Sequence, residues 1–350
     1  MSFRVNVAAG KPRINKAAVI GAGACGSAVA HRLASSDLFD MVVLADHTPG
    51  RAEGRALDIE HAGCIEGFLT RTTGVTVTDV GDGYSAIAGS AVVVIAVGRS
   101  RRPGMRRVDL AVENFGMVRT AAIGLRRYAP EAAVVVLTNP VDEMTACVQA
   151  VSGLPARRVT GQAGVLDTAR FRYLVAMELA VPVADVAALV LGTHSDEMVP
   201  VPSRCTVRGR PLKELLPARR IDALMARARR GGTEIIDLLR TGSTSIAPSA
   251  AVLNMVTAIV SGGRTELPVS TRSTGQYGIS GVYLGLPAIL GPDGVEFVAC
   301  YPLEPAELRA LRASAELARQ RQARILAMAQ SAVNRALTQA QVGQSGQRTP

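Results

Sequence analysis

The chain has 350 residues, of which 48% are hydrophobic and 19% are charged, and its formal net charge is +10. This composition excludes a disordered protein, and no apolar run reaches the roughly 18 residues that a membrane span needs. Aromatic residues make up only 3%, so bases would find few side chains to stack on, and the positive charge favours attraction of anionic metabolites over nucleic-acid binding.

The compartment is expected to be the cytoplasm, without a membrane partner. The first residues are basic but lack the apolar stretch of a signal peptide, and we interpret residues 1–15 as a flexible arm. The five cysteines form no CxxC pair, and an odd number cannot close a disulfide set.

The first half of the chain alternates predicted strands with predicted helices. Strands are expected at residues 16–20, 41–45, 75–78, 91–97 and 133–137, and helices at residues 27–35, 50–62 and 109–128. The runs at 91–97 and 133–137 are apolar and rich in β-branched residues, as in strands that are buried on both faces. We therefore predict an α/β protein whose residues 16–160 form a Rossmann-type, doubly wound parallel sheet.

The second half has a different pattern. Helices are expected at residues 165–179, 214–230, 248–261 and 305–337, and strands at residues 186–191, 199–203 and 205–207, with strand-like segments within 278–290. Residues 161–337 are thus predicted to form an α+β substrate domain, followed by a polar tail at residues 338–350.

A glycine-rich turn follows the first predicted strand and opens a helix. The spacing of Gly21, Gly23 and Gly26 suits a tight turn, close approach of the backbone to a pyrophosphate and close helix packing. Twenty residues after Gly26, Asp46 ends the next strand, where a carboxylate would bind ribose hydroxyls and repel a 2′-phosphate. This arrangement favours NAD over NADP, although the nearby Arg51 leaves NADP open. The alternative is that Asp46 binds no cofactor and only begins a helix.

Residues 98–107 contain five arginines and follow the fourth predicted strand. Ligands bind at this carboxyl edge of open sheets, and the planar guanidinium group binds carboxylates with two parallel hydrogen bonds. We interpret the segment as a mobile cationic lid, and the alternative is a solvated basic loop.

Asp167 and Arg170 are three residues apart in a predicted helix, so their side chains leave the same face. One could then orient His194, which follows an apolar run, while the other faces a substrate. A histidine with a carboxylate partner has its tautomer fixed and can take and return a proton. A surface ion pair without function is the alternative.

These stretches resemble the malate and lactate dehydrogenase family, and most closely its malate branch of the lactate-dehydrogenase-like type. The resemblance runs in order over about residues 16–330. It is carried by residues 21–26 (GAGACG), 54–62 (GRALDIEHA), 101–107 (RRPGMRR), 138–142 (TNPVD), 161–172 (GQAGVLDTARFR) and 277–290 (YGISGVYLGLPAIL).

The resemblance implies reversible hydride transfer between (S)-malate and oxaloacetate with NAD as cofactor, no metal, and a homo-oligomer that is a dimer or a tetramer. It implies catalytic roles for His194 as proton donor and acceptor and for Asp167 as its orienting partner. The implied substrate-binding residues are Arg101 for the distal carboxylate, Arg107 for the reacting carbonyl, Arg170 for the adjacent carboxylate, and Asn139 for the reacting oxygen. The implied cofactor-binding residues are Gly21, Ala22, Gly23, Ala24, Cys25, Gly26, Asp46, Asn114, Leu137, Thr138 and Asn139.

The chain departs from the family at three places. Ser195 stands where glycine usually follows the histidine, and it would be strained if that backbone needs a positive φ. Residues 244–246 are Thr-Ser-Ile where the malate branch commonly has an aromatic pair, and Arg99 is a surplus cation. The alternatives are a dehydrogenase of lactate or another 2-hydroxy acid, a non-catalytic NAD-binding protein, and a nucleic-acid binder.

Overall fold

The computed structural model describes residues 14–78, 81–100, 105–240 and 244–345, and from residue 332 onward it describes the backbone alone. The β-strands in these ranges are β1 (Ile14–Ile20), β2 (Phe39–Asp46), β3 (Arg71–Thr76), β4 (Val92–Ile95), β5 (Ala133–Val136), β6 (Val159–Gly161), β7 (Val186–Ala187), β8 (Val190–Leu191), β9 (Val199–Pro200), β10 (Thr206–Val207), β11 (Arg210–Pro211), β12 (Thr265–Thr274), β13 (Ser280–Gly291) and β14 (Gly294–Val298).

The α-helices in the same ranges are α1 (Ala24–Ser35), α2 (Arg51–Glu66), α3 (Arg107–Tyr128), α4 (Val141–Ser152), α5 (Gly164–Leu179), α6 (Leu212–Leu215), α7 (Ala218–Leu239), α8 (Ile246–Ser261) and α9 (Pro305–Ser345). Over the part of the chain described, no helix combines the length and the apolar character needed to cross a membrane.

Nine strands form one sheet in the order β14-β13-β12-β6-β5-β4-β1-β2-β3. Every neighbouring pair from β3 to β6 is parallel. The chain order reverses between β1 and β4, and such a switch point opens a crevice at the carboxyl ends of the two strands. The predicted doubly wound, Rossmann-type sheet is confirmed.

The central strands form because their side chains are apolar and lose all contact with water. All four residues of β4 and all four of β5 are buried, as expected for strands covered on both faces. One layer of the core contains residues of α3 and α4, and the other contains residues of α1 and α8. Helix α8 comes from the second half of the chain, so that half helps to bury the parallel part of the sheet.

The second half also extends this sheet. Strand β12 pairs antiparallel with β6 through Ser270 and Gly161, and β13 and β14 follow it. The predicted division between residues 160 and 161 falls within β6. Two small antiparallel sheets, β11-β10-β7 and β8-β9, complete the second half.

Several predicted boundaries were wrong. The third strand is β3, whose sequence RTTGVT is polar because it lies at the edge of the sheet. The predicted strand 186–191 is divided between β7 and β8, which belong to different sheets. The predicted helix 214–230 is α6 and the longer α7. Strand β12 was not predicted, since its sequence TELPVSTRST has no apolar run and is stabilised by pairing with β13.

Gly26 provides a test of how tightly α1 is packed on the turn after β1. A Cβ atom on Gly26 would lie 1.7 Å from the backbone oxygen of Gly21, which cannot move without displacing the turn. We expect Gly26→Ala to lower the free energy of unfolding by about 2–3 kcal/mol or more, measured by urea denaturation.

Gly116→Ala is the matched control, because Gly116 lies at an exposed position within α3 and a Cβ atom there would meet nothing within 4 Å. This change should stabilise the protein by about 0.5–1 kcal/mol. Equal effects of the two substitutions would contradict the packing argument.

Candidate active site

A cavity of about 360 Å³ opens at the switch point of the large sheet. Its walls are formed by the turn after β1, the segments after β4 and β5, the segment after β8, and helix α7. The predicted site residues that line it are Gly23, Ala24, Cys25, Arg107, Leu137, Thr138, Asn139, Arg170 and His194. Residues that are far apart in sequence therefore share one compartment.

The other predicted site residues that the structure describes do not line the cavity. Asp167 lies behind His194, and Asn114 is fully buried. Four residues form or support the glycine turn, namely Gly21, Ala22, Gly26 and Asp46. Arg101 lies outside the described residues.

The glycine turn leaves room for a phosphate group. A Cβ atom on Gly23 would meet nothing within 4 Å, so this backbone faces open space in the cavity wall. Gly23 is also the N-cap of α1 and makes no side-chain capping bond, and the N-terminus of a helix attracts an anion. The turn therefore fits the pyrophosphate of a dinucleotide.

Asp46 helps to shape this turn. The backbone amide of Ala22 donates to its Oδ2 at 2.7 Å, and the amide of Thr48 donates to its Oδ1 at 2.8 Å. A guanidinium nitrogen of Arg51 is 3.5 Å from Oδ1. Each carboxylate oxygen has more than one acceptor position, so these bonds leave capacity for a sugar hydroxyl.

Asn114 joins two segments of the cavity wall. Its Oδ1 accepts a hydrogen bond from the amide of Arg99 at 2.7 Å, and its Nδ2 donates to the backbone oxygen of Asn139 at 2.7 Å. It therefore couples the segment after β4 to the segment after β5. In this structure the side chain of Asn114 thus fixes the position of these two wall segments relative to each other.

His194 is held by a buried carboxylate. Its Nδ1 lies 2.6 Å from Oδ2 of Asp167, whose side chain is 2% exposed. Since Nδ1 is engaged, Nε2 is the ring nitrogen left for a ligand in the cavity. Arg170 donates to Oδ1 of the same carboxylate at 3.3 Å. Asp167 is thus shared between the imidazole and the guanidinium group.

Two glycines of α7 accommodate Arg170. A Cβ atom on Gly231 would lie 3.2 Å from Cδ of Arg170, and one on Gly232 would lie 3.6 Å from two nitrogens of its guanidinium group. A side chain at position 231 would therefore press on Arg170, whereas a Cβ atom at position 232 would make ordinary contact with it. Neither glycine was predicted from the sequence to belong to the site.

The backbone of His194 is fixed by a second buried carboxylate, which sequence reasoning also missed. The amide of His194 donates to Oδ2 of Asp142 at 2.8 Å, and the hydroxyl of Ser270 donates to Oδ1 at 2.6 Å. Burial raises the pKa of Asp142, and these two hydrogen bonds partly offset that effect. Asp142 ends the TNPVD stretch, which was a sequence signal that could have identified it.

Ser195 is not strained, because its φ is not in the left-handed region. Its hydroxyl lies 2.7 Å from Oγ1 of Thr193 and donates to the carboxylate of Glu197. Glu197 also pairs with Arg321 of α9 at 2.8 Å. Burial alone would raise the pKa of Glu197, but the hydrogen bonds from Arg321 and Ser195 outweigh it and bring the pKa to about 2.

Four arginines line the cavity in the part of the chain described, namely Arg99, Arg107, Arg170 and Arg229. Arg107 lies beside the histidine, with guanidinium nitrogens 3.5 Å from the backbone oxygen of His194 and 3.3 Å from Oδ1 of Asp196. Arg229 was not predicted, and its Nε donates to the backbone oxygen of Met198 at 3.1 Å. The compartment is therefore suited to an anion with more than one carboxylate.

Comparison with known proteins agrees with this geometry. Residues 15–161 match the profile described as lactate/malate dehydrogenase, NAD binding domain, and residues 164–329 match lactate/malate dehydrogenase, alpha/beta C-terminal domain. The chain is 44% identical over 301 residues to a malate dehydrogenase of Roseiflexus sp., covering 86% of this chain and 95% of the relative.

Solved structures are similar as well. The apo malate dehydrogenase of Picrophilus torridus superposes with a TM-score of 0.84 at 36% identity, over 89% of this chain and 97% of that one. The lactate dehydrogenase of Cryptosporidium parvum, in complex with lactic acid and NAD, gives a TM-score of 0.85 at 35% identity, over 90% and 99% of the two chains.

Glu143, next to Asp142, gives a prediction about pH and stability. Burial raises its pKa from 4.5 to about 7, and the charge of Asp142 adds to this. Below about pH 4.5 the carboxyl group is protonated in both states. As the pH rises from about 4.5 to about 7, the unfolded chain loses this proton before the folded protein does. The free energy of unfolding of the wild type therefore falls over this range.

We expect the unfolding free energy of Glu143→Gln, minus that of the wild type, to increase by up to about 3 kcal/mol between about pH 5 and pH 8. Urea denaturation at several pH values measures this difference. Glu214→Gln, at an exposed position, is the control and should give a constant difference. A constant difference for Glu143→Gln as well would show that Glu143 is not protonated in the folded protein.

Proposed function

The chain belongs to the lactate/malate dehydrogenase family, and from this premise we propose that it interconverts (S)-malate and oxaloacetate through a proton relay of His194 and Asp167. It is an NAD-dependent oxidoreductase that acts on a CH-OH group. The observation that carries the proposal is the cavity in which an imidazole bonded to a buried carboxylate meets the glycine turn and several arginines.

Bound NAD supplies the site that accepts the hydride. Residues 16–160 would hold the cofactor and supply Asn139 and the arginines of the lid to the substrate. Residues 161–337 would supply Asp167, Arg170 and His194. The turn at residues 21–26 would bind the pyrophosphate through backbone amides and the end of α1. Asp46 would accept hydrogen bonds from the ribose, while Leu137, Thr138 and Asn139 border the other half of the same cavity.

His194 would take the hydroxyl proton of malate on Nε2 and return it to the carbonyl oxygen of oxaloacetate. Asp167 keeps the Nδ1 proton in place when the imidazole is neutral and stabilises the imidazolium that forms. Because Asp167 is buried, its negative charge is poorly screened and acts strongly on the adjacent ring. The backbone bond to Asp142 keeps the ring at a constant position.

The arginines would divide the charges of the substrate among them. Arg170 is proposed to anchor the carboxylate next to the reacting carbon, and Asn139 to donate to the reacting oxygen. Arg107 would leave Asp196, which is 64% exposed, and polarise the carbonyl when the lid closes. The distal carboxylate is assigned to Arg101 on the same lid. A closed lid excludes water, which strengthens each of these charge-assisted bonds.

A homo-oligomer, dimer or tetramer, is part of the proposal. Helix α2 carries apolar side chains that are largely exposed, with Leu57 at 57% and Ile65 at 89%. Together with Leu69 just beyond the helix, they form an apolar surface suited to contact with a second subunit.

His194→Asn tests the relay. The amide can occupy the place of the ring but cannot carry a proton, so we expect kcat to fall by about 10² to 10⁴ while NADH affinity is unchanged. His31→Asn, at a partly exposed position on α1 outside the cavity, is the control and should keep full turnover. An unchanged kcat for His194→Asn would refute the assignment.

Arg101→Gln tests substrate choice. Loss of the partner of the distal carboxylate in a closed site should lower kcat/KM for oxaloacetate about 100-fold or more and shift preference toward pyruvate. Steady-state rates of NADH oxidation with both acids measure it, and Arg99→Gln and Arg102→Gln serve as controls. A shift in either control instead would move the role to that residue.

The same assay on the wild type separates the alternatives. A higher kcat/KM for pyruvate would indicate the lactate branch, for which the polar Thr244 in the cavity wall is the supporting observation. No oxidation of NADH with any 2-oxo acid would indicate a non-catalytic NAD-binding protein.

A further inference from the structure

We infer that Arg321 of α9 is a positioning residue for the proposed base, because its hydrogen bonds to Glu197 fix the loop that carries His194. This inference rests on the proposed dehydrogenase function and adds a residue to it. Arg321 does not line the cavity, so it acts through the loop and not on a ligand. Neither Arg321 nor Glu197 was predicted from the sequence.

Arg321 binds both oxygens of one carboxylate. Its terminal nitrogens donate to Oε1 of Glu197 at 2.8 Å and to Oε2 at 3.3 Å. A guanidinium group that binds two oxygens restrains the direction of the carboxylate as well as its distance. The two side chains are 30% and 34% exposed, so water screens the pair only in part. The pair is therefore a directional restraint on residue 197.

Ser195 connects this ion pair to the residues on both sides of the histidine. Its hydroxyl donates to Glu197 and lies 2.7 Å from Oγ1 of Thr193. Thr193 and Ser195 are both buried, and both are direct neighbours of His194 in the chain. One series of hydrogen bonds thus joins them to Arg321. A glycine after the histidine, which is usual in the family, has no hydroxyl, so this series depends on a departure of this sequence.

The connection to α9 becomes more important when Arg107 moves. Arg107 now bonds to the backbone oxygen of His194 and to the carboxylate of Asp196. In the proposed reaction Arg107 leaves Asp196 for the substrate, and the loop loses that restraint. The bonds from Arg321 come from a helix outside the lid, so they hold the loop while the proton is transferred.

Acidic groups of a second helix also attract Arg321. Helix α4 packs on α9, and its first turn carries the buried Asp142 and Glu143. The hydrogen bonds to Glu197 raise the pKa of Arg321, burial opposes this effect, and the charges of Glu197, Glu143 and Asp142 add to it. These charges favour the guanidinium group where it meets Glu197.

Arg321→Met tests the inference, since methionine keeps an apolar side chain and loses the charge. The partly buried carboxylate of Glu197 then has no cation and should turn toward water, which displaces the loop. We expect kcat with oxaloacetate to fall about 10-fold, while the Kd for NADH is unchanged. Steady-state oxidation of NADH measures kcat, and NADH fluorescence measures the Kd without interference from Trp, which the chain lacks.

Glu197→Gln, added to Arg321→Met, separates positioning from a general structural role. It replaces the unpaired carboxylate by a neutral amide whose oxygen still accepts from Ser195, so the double variant should regain most of the lost kcat. An effect of Arg321 that acts through Asp142 or Glu143 would not be reversed by this change. Arg321→Lys keeps the charge without the planar pair of donors and should give an intermediate kcat.

Arg319→Met is the matched control on the same helix. Arg319 bonds to Glu316 at 3.2 Å and to the backbone oxygen of Ser280 at 3.2 Å, and neither partner belongs to the loop of His194. Its replacement should leave kcat and the Kd for NADH unchanged. The melting temperature of each variant shows whether a loss of kcat reflects unfolding at the assay temperature.

The contrary results are distinct from one another. An unchanged kcat for Arg321→Met overturns the inference. A loss of kcat that Glu197→Gln does not reverse also overturns it, in favour of a structural role of α9 if the melting temperature falls and of an effect through α4 if it does not. A wild type that oxidises NADH with no 2-oxo acid overturns the proposed function, and the inference with it.

Discussion

The buried carboxylate of Asp167 is the constraint on which the site depends. An unpaired negative charge in this position would be very costly, and the imidazole of His194 and the guanidinium group of Arg170 both bond to it. Because one anion binds two groups, their relative position is set before any ligand enters. The proposed base and the proposed carboxylate anchor are thus preorganised together.

The loop that carries His194 is held by a second set of hydrogen bonds. Asp142 bonds to the backbone amide of His194, and Ser195 and Glu197 tie the next residues to α9 through Arg321. These groups come from both halves of the chain, and the large sheet is continuous across them. Buried and part-buried hydrogen bonds, which have definite directions, therefore fix the position of residues 194–197.

Sequence reasoning succeeded where a local pattern had one physical solution. The apolar runs of β4 and β5, and the turn of Gly21 to Gly26 after β1, can only be buried strands and a tight strand-to-helix turn, and they were predicted. It failed where partners decide the outcome, as for β12, which pairs with β13 despite its polar sequence. Gln162 and Arg229 were missed for the same reason, since their places in the cavity wall are visible only through their neighbours. Asp142 was missed although it stands in the TNPVD stretch, because only the fold brings its carboxylate to the amide of His194.

By itself, the sequence determined the alternation of strands and helices, the glycine turn with Asp46, and the set of chemical groups that resembles a dehydrogenase of small hydroxy acids. Only the tertiary structure decided which carboxylate binds which atom of His194 and that Ser195 has no positive φ. It also decided that the amide nitrogen of Gln162 has no hydrogen-bond partner among the residues described. The physical reason is range. Backbone preference and apolar periodicity act over a few residues along the chain, whereas burial and hydrogen bonding depend on groups that folding brings together.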